Sequence, residues 1–242
     1  MNISKKKTRN SEIIQLKNIY QSTTDFENFL RKNKVLNLER KNKIVDVGTG
    51  IGANLHYFSS IYKKSEFLGI DYQKVAIHFA KKINKNPQIK FEIGDMLKKN
   101  TFNKKNIVLV MTIHTICCFK DLNKPIKFIC DFKPKWIAIN SLFYDGPINV
   151  LIHMIDLKKK KIENDHVNSD FNIFSLQNLS KILKQNGYKI TKIKKHYPKE
   201  KIVRKFKERG SYTISTELDK NTIFSGPVHL PWHFVLAKRI KI

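Results

Sequence analysis

Residues Lys43-Ile-Val-Asp46-Val-Gly48-Thr-Gly50-Ile-Gly52-Ala-Asn54 join a short apolar run carrying one acid to a turn with glycine at every second position. Glycine serves where backbone takes positive φ or passes close to a ligand with no Cβ in the way, and three at this spacing leave a flat, open loop. The chemistry such a loop suits is the holding of a nucleoside, with its N–H groups facing the ligand. Asp46 is the unusual member. An acid inside an apolar strand is costly unless it orders the turn through hydrogen bonds or meets a positively charged ligand. A second apolar run, Phe67-Leu-Gly-Ile-Asp71, ends in an acid 21 residues beyond Gly50. A carboxylate at a strand's C-terminal end can accept both hydroxyls of a ribose. The third run, Ile89-Lys-Phe-Glu-Ile-Gly94-Asp95-Met96, places Asp95 to accept a hydrogen bond from an adenine amino group and Met96 to flank the ring.

This succession resembles the class I S-adenosylmethionine-dependent methyltransferases, whose pattern is acid-x-Gly-x-Gly-x-Gly and then an acid after each of the next two strands. The matching positions are Asp46, Gly48, Gly50 and Gly52, then Asp71, then Asp95, and the match covers roughly residues 40 to 145. The resemblance implies S-adenosylmethionine as cofactor, with Asp46 and the three glycines at its methionine portion, Asp71 at the ribose, and Asp95 with Met96 at the adenine. Met111 joins these as a cofactor-binding position, and no metal is implied. Gly48-Thr-Gly50-Ile-Gly52-Ala53 also satisfies the looser dinucleotide pattern G-x-G-x-x-A, so an NAD(P)-dependent oxidoreductase is the rival class. Asp46 within a strand and the Gly94-Asp95 pair weigh toward the methyltransferase.

A chain of 242 residues with 41% hydrophobic content can bury one sizeable core. The expectation is a single methyltransferase domain over 1-242, with an N-terminal helical cap (1-40), a cofactor-binding core (41-145), and substrate-side inserts with C-terminal strands (146-242). Strand and helix signals alternate, which argues for an α/β fold with helices on both faces of a mostly parallel sheet. The resemblance makes it a Rossmann-like sheet with an antiparallel C-terminal strand. Apolar spacing predicts a leading helical region over 11–33, helices over about 52–62 and 75–83, and a helix over 175–186 capped by Ser175 and stopped by Gly187. Strands are expected at 106–111, 135–143, 188–196 and 233–238.

Ligands of open parallel sheets sit beyond the carboxyl ends of the strands, so the residues after strand four face the reacting group. His114 stands there. A neutral imidazole, with pKa near ~6.5, can take a proton from a hydroxyl or amine as it attacks a methyl group, though a histidine satisfied at a helix start fits the same position. This segment lacks the Asn/Asp-Pro-Pro-aromatic motif by which family members hold planar nitrogens, which turns the expectation toward a small-molecule or glycan acceptor. Residues 148 to 172 read either as a substrate-side insertion or as an extra surface hairpin. Phe224-Ser-Gly-Pro-Val-His229-Leu-Pro-Trp232-His233 is similar to a segment of bacterial family members serving cell-surface glycans. Its tryptophan and histidine read as a packing wedge or as a sugar-stacking face.

The formal net charge of +27 is what a nucleic-acid binder carries. Only six of the 47 basic residues are arginine, however, and arginine is the residue suited to base edges and bidentate phosphate clamping. A solvated lysine-rich surface is the first reading. An RNA methyltransferase using that surface is the alternative, followed by contact with DNA or an anionic membrane. Cys117, Cys118 and Cys130 form no C-x-x-C pair, so neither a disulfide framework nor a zinc site is indicated, and the cytoplasm is the expected compartment. No stretch reads as a membrane span or signal core.

Overall fold

The computed structural model describes residues 19–98, 102, 105–153, 171–199, 211–214, 222–225, 228–229 and 232–240. Contacts group the chain into two compact units, Met1–Ile113 with Asp131–Ile137, and His114–Cys130 with Ala138–Ile242.

The first unit opens with helix α1 (Gln21–Lys32), which buries Phe26, Phe29 and Leu30 and ends in Arg31 and Lys32, cations suited to the negative end of a helix dipole. Its buried Glu27 accepts a hydrogen bond from the Tyr62 hydroxyl at 2.7 Å and pairs with Arg31 at 3.2 Å. An enclosed carboxylate with two donors anchors the helix rather than destabilising it. Four strands follow, β1 (Lys43–Val47), β2 (Glu66–Asp71), β3 (Ile89–Ile93) and β4 (Leu109–Ile113), in the order β3-β2-β1-β4. The pairings of β1 with β2 and β4, and of β2 with β3, are parallel. The interior strands β1 and β4 are buried nearly throughout because parallel strands are covered on both faces. Helices α2 (Ala53–Ile61) and α3 (Lys74–Ile83) pack on β2 and β3.

The second unit contains a 3-10 turn (Ile116–Cys118), helix α4 (Asn123–Cys130), and β5 (Trp136–Tyr144), whose first two residues belong to the first unit. The short β6 (Phe174–Ser175) pairs in parallel with β5 and leads into α5 (Leu176–Gln185). Strands β7 (Tyr188–His196) and β11 (Trp232–Arg239) pair antiparallel, in the order β5-β11-β7. Strands β8 (Ser211–Ile214), β9 (Thr222–Ser225) and β10 (Val228–His229) make a separate antiparallel sheet.

The mostly parallel sheet with its antiparallel C-terminal strand is the expected one, and three details differ from the sequence reading. The leading helix begins at Gln21 because Tyr20 is extended, and residues 11–18 lie outside the described ones. Strand β4 starts and ends two residues or more later than expected, since Asn106 takes φ +57° in a turn while Thr112 and Ile113 continue the ladder. The segment between β7 and β11 carries three strands that its scattered polar sequence did not signal. In the 148–172 region, Val150 bridges Ile173 antiparallel, and 154–170 lie outside the described residues.

Ser175 caps α5 as its sequence implies, its Oγ accepting from the N–H groups of Gln177 at 3.1 Å and Asn178 at 3.3 Å. Ser175→Ala is expected to lower the unfolding free energy by about 1 kcal/mol in urea titration. An unchanged midpoint would show that the β6 pairing alone sets this helix start.

Candidate functional site

Gly48, Gly50 and Gly52 all take positive φ, at +80°, +55° and +83°, but they serve different ends. A Cβ at Gly50 would meet nothing within 4 Å, so this is the glycine that borders open space. A Cβ at Gly52 would lie 2.5 Å from two ring carbons of Phe91, so Gly52 lets the turn pack against β3. The turn closes on the acid of the neighbouring strand. The Gly50 N–H donates to Asp71 Oδ2 at 2.9 Å, and the Gln73 N–H donates to Asp71 Oδ1 at 2.9 Å. Burial raises the Asp71 pKa, and the backbone donors of Gln73, Gly50 and Tyr72 oppose that rise. The two close hydrogen bonds fall one on each Asp71 oxygen, which leaves the carboxylate accepting capacity for ribose hydroxyls.

Asp46 is fully buried in β1, with Met111 and Gly69 as its register partners. Of its two expected uses, the structure realises the ordering of the turn. The Thr49 hydroxyl donates to Asp46 Oδ2 at 3.0 Å, the Asn54 side chain is a second hydrogen-bond partner, and Asn54 Oδ1 in turn accepts from the Thr23 hydroxyl of α1 at 2.9 Å. Desolvation pushes the Asp46 pKa up to about 7, against the Thr49 and Asn54 bonds and with the Asp71 charge. Thr49, Asn54 and Thr23 were not singled out by sequence, although the first two flank the glycines.

The raised Asp46 pKa sets a pH dependence. The folded state binds this proton more tightly than the unfolded state, so the stability it contributes is full below about pH 4 and is lost as pH rises to about 7. Over that window the difference is on the order of 4 kcal/mol. Asp46→Asn is expected to flatten the loss, read as the wild-type minus variant difference in urea unfolding between pH 4 and pH 8. A constant difference would refute the assignment.

Asp95 follows β3 and makes a local turn, its Oδ1 accepting from the Leu97 N–H at 2.9 Å and its carbonyl from the Lys98 N–H at 3.1 Å. Lys98 Nζ stands 3.6 Å from Oδ2 on an exposed side chain, too long and too solvated to hold the carboxylate firmly. Met96 beside it is buried, and Met111 is wholly enclosed in β4. Asp46, the glycines and Asp71 are thus joined by hydrogen bonds, whereas Asp95, Met96 and Met111 are placed by their strands. The turn N–H groups expected to face a ligand are instead used within the protein, Gly48 and Thr49 donating to Ile70 O, Gly50 to Asp71 and Gly52 to Thr49 O, so it is the open space over Gly50 and the accepting capacity of Asp71 that fit a nucleoside.

In the second unit, His114 is the first residue past β4 and takes φ +56°, a left-handed conformation uncommon outside glycine. Its N–H donates to Asn140 O at 2.9 Å, and its Nε2 lies 3.2 Å from Asn140 Nδ2. Its ring meets Trp232 with centroids 4.2 Å apart. Enclosure by protein, then the nearby His196, lowers the His114 pKa toward about 4. The side chain still opens to solvent, which offsets part of that depression and leaves a neutral imidazole at pH 7. Trp232 packs with Cys117, Leu142, Phe171, Ile173 and Ile223, the packing wedge of its two readings. Gly226, Pro227 and Pro231 lie outside the described residues. Asn140 was missed, and its signal was an amide followed by Ser141 within an apolar run, both fully buried in the folded chain. Among the described residues no cluster of ligating side chains could hold a metal, and no helix is long and apolar enough to cross a membrane.

Residues 38–217 match the family described as a methyltransferase domain. A protein of Invertebrate iridescent virus 6 named as a methyltransferase, 235L, is 29% identical over 92 residues, which are 37% of this chain and 34% of that protein. The chain thus aligns with about a third of the length of that curated relative. Among solved structures, a SAM-dependent methyltransferase of Methanosarcina mazei superposes with a TM-score of 0.59 at 14% identity, covering 88% of this chain and 98% of that one. Magnesium protoporphyrin IX methyltransferase of Synechocystis, solved with bound SAH, gives a TM-score of 0.54 at 11% identity over 90% and 82% of the two chains.

Proposed function

We propose, on the premise that this chain belongs to the methyltransferase domain family, that it transfers the methyl group of S-adenosylmethionine to a small molecule or sugar. The observation that carries this reading is the closure of the glycine turn on Asp71, with open space left over Gly50. Bound S-adenosylmethionine supplies an electrophilic methyl group on a sulfonium, so the protein's task is placement more than activation. Asp71 receives the ribose hydroxyls with the lone pairs that Gly50 and Gln73 leave free. The glycine turn, ordered from beneath by Asp46, borders the methionine portion, with Gly50 on the open side. Asp95 and Met96 receive the adenine, Met111 backs the site from β4, and His114 meets the acceptor. Cys117, Cys118 and Cys130 form no disulfide, in keeping with the cytoplasm.

The test is transfer of labelled methyl from S-adenosylmethionine by purified protein into fractionated cell extract, with and without ribonuclease, with Asp71→Ala as control. Label in a small, ribonuclease-resistant fraction is the expected result. Label lost to ribonuclease would make the +27 charge functional and the acceptor an RNA. Absence of transfer, with binding of NADH in place of S-adenosylhomocysteine, would return the oxidoreductase.

A further inference from the structure

His114 was expected to take a proton, but the atoms around it suit the opposite role. Asn140 Nδ2 faces His114 Nε2 at 3.2 Å, and an amide nitrogen donates but does not accept. Nε2 must therefore offer its lone pair to Asn140, which places the ring proton on Nδ1. Turning the amide round would exchange its one buried unpartnered carbonyl oxygen for a buried unpartnered NH2 group, the rarer and costlier orphan. The lone pair a base needs is occupied, and the remaining ring nitrogen is a donor.

The surrounding charge points to what that donor meets. In the antiparallel β7 and β11 pair, His196 lies opposite Trp232, Lys194 opposite Phe234, and Lys192 opposite Leu236. Opposite residues share a face, so Lys194 and Lys192 continue the face that carries Trp232 and His196, at steps of about 7 Å along the strand. Both lysines are exposed and neither makes an ion pair among the described residues, whereas Lys195 pairs with Asp145 at 3.1 Å. Lys194 and Lys192 thus extend this face along β7 from His196 as cations without an ion pair among the described residues.

We propose that the methyl acceptor is a carboxylate, received by the Nδ1–H of His114 as hydrogen-bond donor and attracted by Lys192 and Lys194. This rests on the methyltransferase reading and names its substrate class. One carboxylate oxygen accepts from Nδ1–H while a lone pair of the other forms the bond to the methyl carbon. The carbon–sulfur bond breaks with its electron pair going to sulfur, yielding a methyl ester and S-adenosylhomocysteine. No proton moves, so no base is needed. Among the described residues the titratable groups facing His114 are His196 of β7 and Cys118, whose Sγ approaches the His114 backbone carbonyl at 3.9 Å; Asn140 and Trp232, from β5 and β11, carry no charge.

The tautomer is read directly by nitrogen NMR of histidine-labelled protein, with His114→Gln assigning the signal. The expected spectrum has a protonated Nδ1 and a bare Nε2, and the reverse would overturn the donor role without any methyl transfer being required. Transfer is then measured with labelled S-adenosylmethionine and the anion-exchange-retained small molecules of a cell extract. The label is expected to leave as volatile methanol in mild alkali, and alkali-stable label would overturn the carboxylate. His114→Gln, which keeps an N–H donor but no base, is expected to retain transfer within about tenfold, with His114→Leu losing about 100-fold. Equal losses in the two variants would restore the base. Lys192→Gln with Lys194→Gln is expected to raise KM about tenfold with kcat unchanged, and an unchanged KM would remove the lysines from the proposal. Binding of S-adenosylhomocysteine, measured separately, distinguishes failure of this inference from failure of the methyltransferase reading.

Discussion

Asp71→Ala should weaken S-adenosylhomocysteine binding by at least about 100-fold in calorimetric titration, the loss expected from two charge-assisted hydrogen bonds. One carboxylate holds both the Gly50 N–H and the Gln73 N–H, each at 2.9 Å. The substitution therefore releases the glycine turn and the start of α3 together, and removes the group proposed to receive the ribose. Stability should fall by only about 1–2 kcal/mol, because relief of the buried carboxylate partly offsets the two backbone donors left without an acceptor. A binding loss larger than this stability loss separates a binding role from a merely structural one. Asp71→Asn should fall between, since its amide oxygen can replace only one of the two accepting oxygens. Unchanged affinity in a folded Asp71→Ala protein would remove Asp71 from the cofactor site.

Gly52→Ala should cost about 3 kcal/mol of unfolding free energy, combining the penalty of a left-handed φ with overpacking. Its φ is +83°, and the new methyl would sit 2.5 Å from Phe91 Cε1 and Cζ. Phe91→Leu in the same chain should recover the packing part and leave the backbone part, which a double-mutant cycle in urea reads as positive coupling. Gly50→Ala makes the informative comparison. With nothing within 4 Å of its Cβ, it should lose only about 1 kcal/mol of stability yet impair cofactor binding, because the methyl enters the space kept for the ligand. Similar stability losses at both positions would contradict the division of roles between the two glycines.

The expectations of family and enzyme class agree with the family match, and that of fold with the structural likenesses. They were legible because each is written locally. Asp46-Val-Gly48-Thr-Gly50-Ile-Gly52 is a strand end and turn in one stretch, and an acid at the next strand's tip must lie beside it once the two strands pair in parallel. Helix α5 was readable for the same reason, its cap, apolar face and terminal Gly187 being contiguous.

The sequence by itself determined the order of strands and helices through β4, the turn and the acids that serve it. Tertiary structure alone decided that Gly52 yields to Phe91 while Gly50 stays open, that Asp46 works beneath the turn through Thr49 and Asn54, and that Asn140 governs His114 from 26 residues away. The physical reason is range. Backbone conformation and apolar periodicity act over a few neighbouring residues and can be read along the chain, whereas the partner of a buried polar atom is chosen by whichever distant strand brings a donor within about 3 Å.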